Sequence, residues 1–169
     1  MTNKNPTPAD AGRLVRKTSE VIDKAGWVQG TLEGVKLSRK FTVGLDFAFC
    51  GEDSLFEDLA DGFNTEFVKQ TTGYCIAGGL NYTYCGNAVL TRNRIDKIPL
   101  LKLTYELLDE FLKEFYLAEI SPREAAVIAE AVISNFQYIE GFNDRIAKDK
   151  AQVLTYLHKF ADLYDPQKV

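Results

Sequence analysis

With 169 residues, 46% of them apolar and 11 Phe and 8 Tyr among them, the chain can bury a sizeable core, which excludes a disordered protein. A formal net charge of −4 without a long basic run argues against direct nucleic-acid binding, and no apolar run is long enough to span a bilayer. Three cysteines (Cys50, Cys75, Cys85) without C-x-x-C spacing, beside the single histidine His158, argue against a structural zinc site, so neither metal nor cofactor is expected.

Residues 1–6 read as a flexible tail. They lack the apolar stretch of a signal peptide, so a cytoplasmic protein is expected. Thr7-Pro8-Ala9-Asp10 then opens a helix: Thr7 caps, Pro8 suits the first helical position, and Asp10 answers the free amides. Leu14, Val15, Val21, Ile22 and Ala25 share one stripe of that helix, and Gly26 closes it. Arg13, Arg16, Lys17 and Lys24 form its solvated face.

A single helical domain spanning 7–165 is expected. Phe41, Val43, Leu45, Phe47 and Phe49 alternate with smaller or polar residues, which predicts a strand within a small β element near 36–50. Its pairing partner is expected in 29–37 or 63–70, because a lone strand leaves its edges unsatisfied. Leu55, Phe56, Leu59 and Ala60 predict a short helix between Ser54 and Asp61. Between Glu52 and Glu66 lie six acidic residues and no Lys or Arg.

Gly73, Ala77, Gly78, Gly79, Gly86 and Ala88 make 72–90 rich in small residues. A helix there requires a close neighbour, since each glycine costs roughly 1 kcal/mol of helix stability; the alternative is a loop. Pro99 opens a helix with a broad apolar face from Leu100 to Phe115. Ser121-Pro122-Arg123-Glu124 is a capping box with proline at the first position, followed by a stripe of Ala125, Ala129, Val132, Ile133 and Phe136. Gly141 to Arg145 reads as a tight polar turn, and Asp149 opens a last helix whose inner face runs from Val153 to Tyr164. The fold class is mainly α, about five helices around one core with a small β element.

Four short stretches carry a likeness beyond these patterns: Gly26-Trp27-Val28-Gln29, Gly73-Tyr74-Cys75-Ile76-Ala77-Gly78-Gly79-Leu80, Phe142-Asn143-Asp144-Arg145, and Asp149-Lys150-Ala151-Gln152-Val153-Leu154. With them the chain resembles a family of small uncharacterised proteins of actinobacteria and their phages. Its members carry a Gly-Trp-x-Gln element, a Cys-containing Gly/Ala-rich helix, a Trp-Asn-Asp turn and a Thr-x-x-Glu-Val-Leu helix. Phe142 replaces the Trp, Gly79 an Ala and Asp149 the Thr. The likeness covers the first helix, the middle helix and the last third, and implies that residues 30–70, which it does not cover, are an elaboration. It implies a fold and candidate residues, but no activity.

Trp27, Gln29, Cys75, Asn143 and Asp144 are therefore the candidate ligand-binding residues, and no catalytic residue is assigned. Each also has a plainer reading. Asn143 and Asp144 would bond nearby backbone amides in a turn. Trp27 would be a core anchor whose indole N–H meets a backbone carbonyl. Cys75 would be a small buried core residue, since a thiol nucleophile wants a base and His158 is the only imidazole. The function expected is a non-enzymatic binding or regulatory protein, an accessory protein of a phage or mobile element acting on a host protein. One alternative is a small-molecule-binding domain or minor enzyme with a pocket at those five residues. Another is an acidic inhibitor of a nucleic-acid-binding protein, resting on Glu52 to Glu66.

Overall fold

The computed structural model describes residues 5–41, 65–130 and 136–166, with side chains described at 5–34, 71–127 and 136–166. Among the described residues, seven α-helices and two strands follow in chain order: α1 (Pro8–Ala25), β1 (Glu33–Phe41), β2 (Thr65–Tyr74), α2 (Ile76–Cys85), α3 (Arg92–Ile95), α4 (Pro99–Glu119), α5 (Pro122–Glu130), α6 (Gln137–Gly141) and α7 (Lys150–Tyr164). Five of the helices, α1, α2, α4, α5 and α7, run nine residues or longer, so the fold is mainly α as expected. The strands form a two-stranded antiparallel sheet. The chain divides into two units, residues 1–34 with 72–169 and residues 35–71.

Local chemistry sets most helix ends. Thr7 Oγ1 accepts from the Asp10 amide at 3.3 Å while the Asp10 carboxylate accepts from the Thr7 amide at 2.8 Å, a reciprocal cap on α1. Hydrogen bonds from Thr7 hold the Asp10 carboxyl down at about 2. Ser121 and Glu124 repeat the device on α5, and the Asp149 carboxylate caps α7 by accepting from the Gln152 amide at 2.8 Å. Gly26 ends α1 at φ 107°, a conformation that L side chains rarely adopt.

Helix α4 places Leu101, Thr104, Tyr105, Leu108, Leu112 and Tyr116 in the core, at the three- and four-residue steps that one helical face requires. Each fully buried leucine contributes roughly 1.5–3 kcal/mol. Helix α1 packs against α2, α4 and α7 through Leu14, Val15 and Ile22, and α7 answers with Val153, Leu157, Phe160 and Ala161. The small residues of α2 have the predicted use: a methyl at Gly79 would press on Thr18 and Ile22, and one at Gly78 would collide with the Leu32 carbonyl.

The segment after α1 is stitched to the end of β2. Tyr74 donates to the Gly26 carbonyl at 3.0 Å, Val28 to the Tyr74 carbonyl at 3.3 Å, and Cys75 to the Leu32 carbonyl at 3.3 Å. Gly34 and Thr72 lie side by side; a Cβ at Gly34 would stand 2.6 Å from Thr72 Oγ1.

The small β element is present: β1 at 33–41 overlaps the expected 36–50, and its partner β2 covers most of the expected 63–70; residues 42–50 of the alternating run lie outside the described residues. The helix expected at 54–61 and all the acidic residues of Glu52 to Glu66 except Glu66 lie outside them. One expectation needs correction at Phe136, which does not continue α5: it sits at φ 77°, the left-handed region that a right-handed helix does not use, while Val132 and Ile133 of that stripe lie outside the described residues. Such strain costs about 1–3 kcal/mol and persists because packing over-determines it. Here the Phe136 ring is clamped between the Tyr105 ring at 4.5 Å and the Arg92 guanidinium at 3.8 Å. A second correction concerns Gly141 to Arg145 and shapes the site itself.

Candidate functional site

Gly141 to Arg145 is helical rather than a tight turn. Helix α6 runs directly into a π turn, Phe142–Ile146, closed by the Ala147 amide donating to the Phe142 carbonyl at 2.8 Å. A π turn carries one more residue than an α turn, so it re-aims the side chains that follow it. Phe142 is fully buried against the Tyr156 ring, and Asn143 is turned inward to 2% exposure, while Asp144 stays at the surface. The start of α6 is held from outside: the Asp109 carboxylate of α4 accepts from the Tyr138 and Ile139 amides, each at 3.0 Å. Burial pushes the Asp109 carboxyl up against the pull of those two bonds.

Asn143 is the hub. Its Oδ1 accepts from Trp27 Nε1 at 2.8 Å and from the Ile76 amide at 3.2 Å. Its Nδ2 donates to the Val28 carbonyl at 3.2 Å and to Asp144 Oδ1 at 2.6 Å. Two donors on one side and two acceptors on the other fix the amide's orientation. Gln29 Nε2 donates to the Asn143 carbonyl at 2.9 Å and the Ala147 carbonyl at 3.1 Å, and the Gly30 amide donates to Asp144 Oδ1 at 3.0 Å. Four of the five candidate residues thus form one bonded cluster. The partners differ from those expected: Asn143 and Asp144 reach backbone more than 60 residues away, at 28, 30 and 76, and the Trp27 indole meets the Asn143 side chain rather than a backbone carbonyl.

Cys75, the fifth, stands at the other end of the Ile76 amide. It caps α2, its Sγ accepting from the Gly78 amide at 3.3 Å. A helix N-terminus favours a thiolate, but Cys75 is 7% exposed, and burial pushes its thiol up, with the Asp144 and Glu140 carboxylates adding to the shift. Desolvation wins, so the group is a neutral thiol at physiological pH. His158 offers it no base: it lies exposed on α7 with Nε2 3.0 Å from Ser19 Oγ. Ser19 Oγ donates to the Arg16 carbonyl at 2.7 Å, so the imidazole is the donor in that contact.

Cys75, Asn143 and Asp144 line a cavity of about 260 Å³ with Gly30, Thr31, Leu32, Ala77, Ile139 and Glu140. Trp27 and Gln29 stand behind its wall. Two acidic residues, Glu140 and Asp144, line this space, and among the described residues no Lys or Arg does. Asp144 uses Oδ1 alone in its bonds, and Glu140 has no hydrogen-bond or ion-pair partner among the described residues. A second cavity of about 330 Å³ shares Leu32, Ala77, Ile139 and Glu140 with the first and adds Asn81, Leu90, Arg92, Ile95, Tyr105 and Phe136. Among the described residues no group of three or more His, Cys, Asp or Glu is placed to hold a metal ion, and no helix is long and apolar enough to cross a membrane.

Sequence reasoning missed Glu140 and the whole second cavity. Glu140 lies four residues before Asp144, a spacing that puts two carboxylates on one helical face. Reading 141–145 as a turn hid that signal. Arg92, Tyr105 and Phe136 come from separate elements and share no local pattern.

Residues 6–163 match DUF6197, a family of unknown function, and the chain belongs to that family. No curated protein and no solved structure matches it.

Proposed function

We propose that this member of DUF6197 is a non-enzymatic binding protein for a small molecule, held in the cavity bounded by Cys75, Glu140, Asn143 and Asp144. One observation carries the reading: the Asn143 cluster closes the back of a concave site while the carboxylates of Glu140 and Asp144 remain on its wall with bonding capacity unspent. Binding sites are concave, mostly apolar, and oriented by a few convergent polar groups; Leu32, Ala77 and Ile139 supply the apolar part. Chemistry by these residues is disfavoured, because Cys75 is a neutral thiol and no imidazole adjoins it. The likeness of Gly26-Trp27-Val28-Gln29 and Phe142-Asn143-Asp144 to small actinobacterial and phage proteins is part of this proposal, and it suits an accessory role in which ligand binding is the signal.

The test is a thermal-shift screen of a metabolite library on the full chain and on Ala77→Leu, whose added side chain enters both cavities. Hits should raise the melting midpoint of the native chain and lose that effect in the variant, provided its circular dichroism is unchanged. Hits that shift both proteins equally would place the site elsewhere.

A second reading, a docking face for a protein partner, draws on Tyr82, Tyr84 and Val89, which are 40%, 43% and 61% exposed close together in the chain. Tyr82→Ser with Tyr84→Ser should abolish capture of such a partner while leaving the screen hits unaffected.

A further inference from the structure

The second cavity differs from the first in what its walls offer a ligand. Most of its lining is apolar, from Leu32, Ala77, Leu90, Ile95, Phe136 and Ile139. Apart from Glu140, on the wall shared with the first cavity, its polar side chains are already spent inside the protein. The Tyr105 hydroxyl lies 3.0 Å from the Ala77 carbonyl and 3.0 Å from Asn81 Oδ1, and Asn81 Nδ2 donates to the Ala88 carbonyl at 2.9 Å. Arg92 pairs with the Asp96 carboxylate at 3.0 Å and rests its guanidinium on the Phe136 ring. Its Nη1 has no partner but is closed to water, so it offers the hollow no donor. A cavity with such walls has little to give a polar group and much to give an apolar one. An apolar cavity of roughly 150 Å³ lined by Leu, Ile and Phe takes up benzene. At about 330 Å³ this one has room for an aromatic ring or a short alkyl chain.

We propose that the second cavity is the apolar subsite of the ligand held in the first, and that it takes a single aromatic ring or a short alkyl chain. Leu32, Ala77, Ile139 and Glu140 line both hollows, so one molecule can lie across that shared wall. Its head, in the first cavity, donates hydrogen bonds: Glu140 and Asp144 accept them, and Arg92, already paired with Asp96, gives an acid no partner. The ligand class is therefore the apolar amines and alcohols. The inference rests on the pocket reading above and deepens it.

The experiment is titration of the isotope-labelled full chain, read by amide chemical shifts, with straight-chain amines from methylamine to hexylamine, with phenethylamine, and with the alcohols and carboxylates of the same tails. Affinity should rise about fourfold for each added methylene, the equivalent of roughly 0.8 kcal/mol for one buried methylene, and level off once the hollow is full. Carboxylates should bind at least about tenfold more weakly than amines of the same tail, because like charges face each other in the first cavity. Amines ahead of alcohols would show a head read by charge and equal binding a head read by hydrogen bonding; either supports the subsite. Leu90→Trp, at a half-buried position that lines the second cavity and not the first, should flatten the dependence on tail length without weakening the shortest compounds. If that variant does not fold, Ile95→Ala, which enlarges the same hollow, should move the levelling point to longer tails. Compounds that shift the amides of Gly30 to Leu32 with no dependence on tail length, or carboxylates that bind as well as amines, would overturn this inference and leave the pocket reading standing. No saturable shift with any compound, in a chain with a native spectrum, would overturn both.

Discussion

Removing the side-chain amide of Asn143 is the sharpest test of how this molecule is held together. Asn143→Ala deprives four groups of their partner: the Trp27 indole N–H, the Ile76 amide, the Val28 carbonyl and the Asp144 carboxylate. The Ile76 amide is buried, and leaving such a donor unsatisfied costs roughly 1–3 kcal/mol. The other three contacts are part-buried, so water recovers some of each, and about 0.5–1 kcal/mol apiece is a fair charge. The sum is about 2.5–6 kcal/mol, a large fraction of the 5–15 kcal/mol that holds a typical domain together. At roughly 2–4 °C per kcal/mol for a chain of this size, the melting midpoint should fall by about 5–24 °C. Asn143→Asp keeps the shape and both acceptor contacts but sets a carboxylate oxygen against Asp144 Oδ1 and the Val28 carbonyl. It should destabilise at least as much at neutral pH. Burial and the neighbouring carboxylate raise the folded-state pKa of the new acid above its unfolded value, so the penalty is present above that pKa and is relieved as pH falls through it. Asp144→Ala, which removes an exposed carboxylate, should cost only about 1 kcal/mol. Urea unfolding followed by fluorescence reads all three variants, because Trp27 is the only tryptophan. An Asn143→Ala protein within about 1 kcal/mol of the native chain, with unchanged Trp27 emission, would refute the hub.

Asp109→Asn keeps an acceptor for the Tyr138 and Ile139 amides without a half-buried charge, so it should be neutral or stabilising at pH 7, whereas Asp109→Ala should cost about 1–3 kcal/mol. Because burial raises the Asp109 pKa, its ionisation penalises the fold above that pKa and ceases to do so below it; the advantage of Asp109→Asn should therefore shrink on acidification, and an advantage independent of pH would sink the account. Native-state alkylation mapped by mass spectrometry should label the exposed Cys85 quickly and the buried Cys75 only on unfolding; fast labelling of Cys75 would reopen its reading as a nucleophile. Ser121→Ala should lower the unfolding free energy by about 1 kcal/mol through loss of the α5 cap, and an unchanged midpoint would show that the cap does not hold that helix in place.

What could be read from the sequence was local. Thr7 with Asp10, Ser121 with Glu124 and Asp149 with Gln152 lie within one turn of the chain, so residue chemistry alone located those helix starts. Gly78 and Gly79 announced a close neighbour because glycine in a helix needs compensation, although nothing local named Leu32 and Ile22 as that neighbour. Trp27, Gln29, Asn143 and Asp144 stood out as polar or aromatic positions that amphipathicity did not explain. The bonds of Trp27 and Gln29 to Asn143, and of Gly30 to Asp144, cross 114 to 116 residues, a distance over which no periodicity carries information. The π turn at Phe142 has no residue signature, and Phe136 takes a backbone conformation that its side chain disfavours, so pattern reasoning pointed away from both.

The pairing of Gly34 with Thr72 has a consequence for how such a protein can change over generations. The chain departs at one residue and comes back at its neighbour, with Cys75 and Leu32 bonded just inside that gate. For residues 1–34 and 72–169 the closure of the intervening stretch is already made, and closure cost grows only with the logarithm of its length, about 0.6 kcal/mol for each doubling. On that account alone, a change in the number of residues between Gly34 and Thr72 costs this body little, whereas a change at Trp27, Gln29 or Asn143 breaks a bond to another of the three.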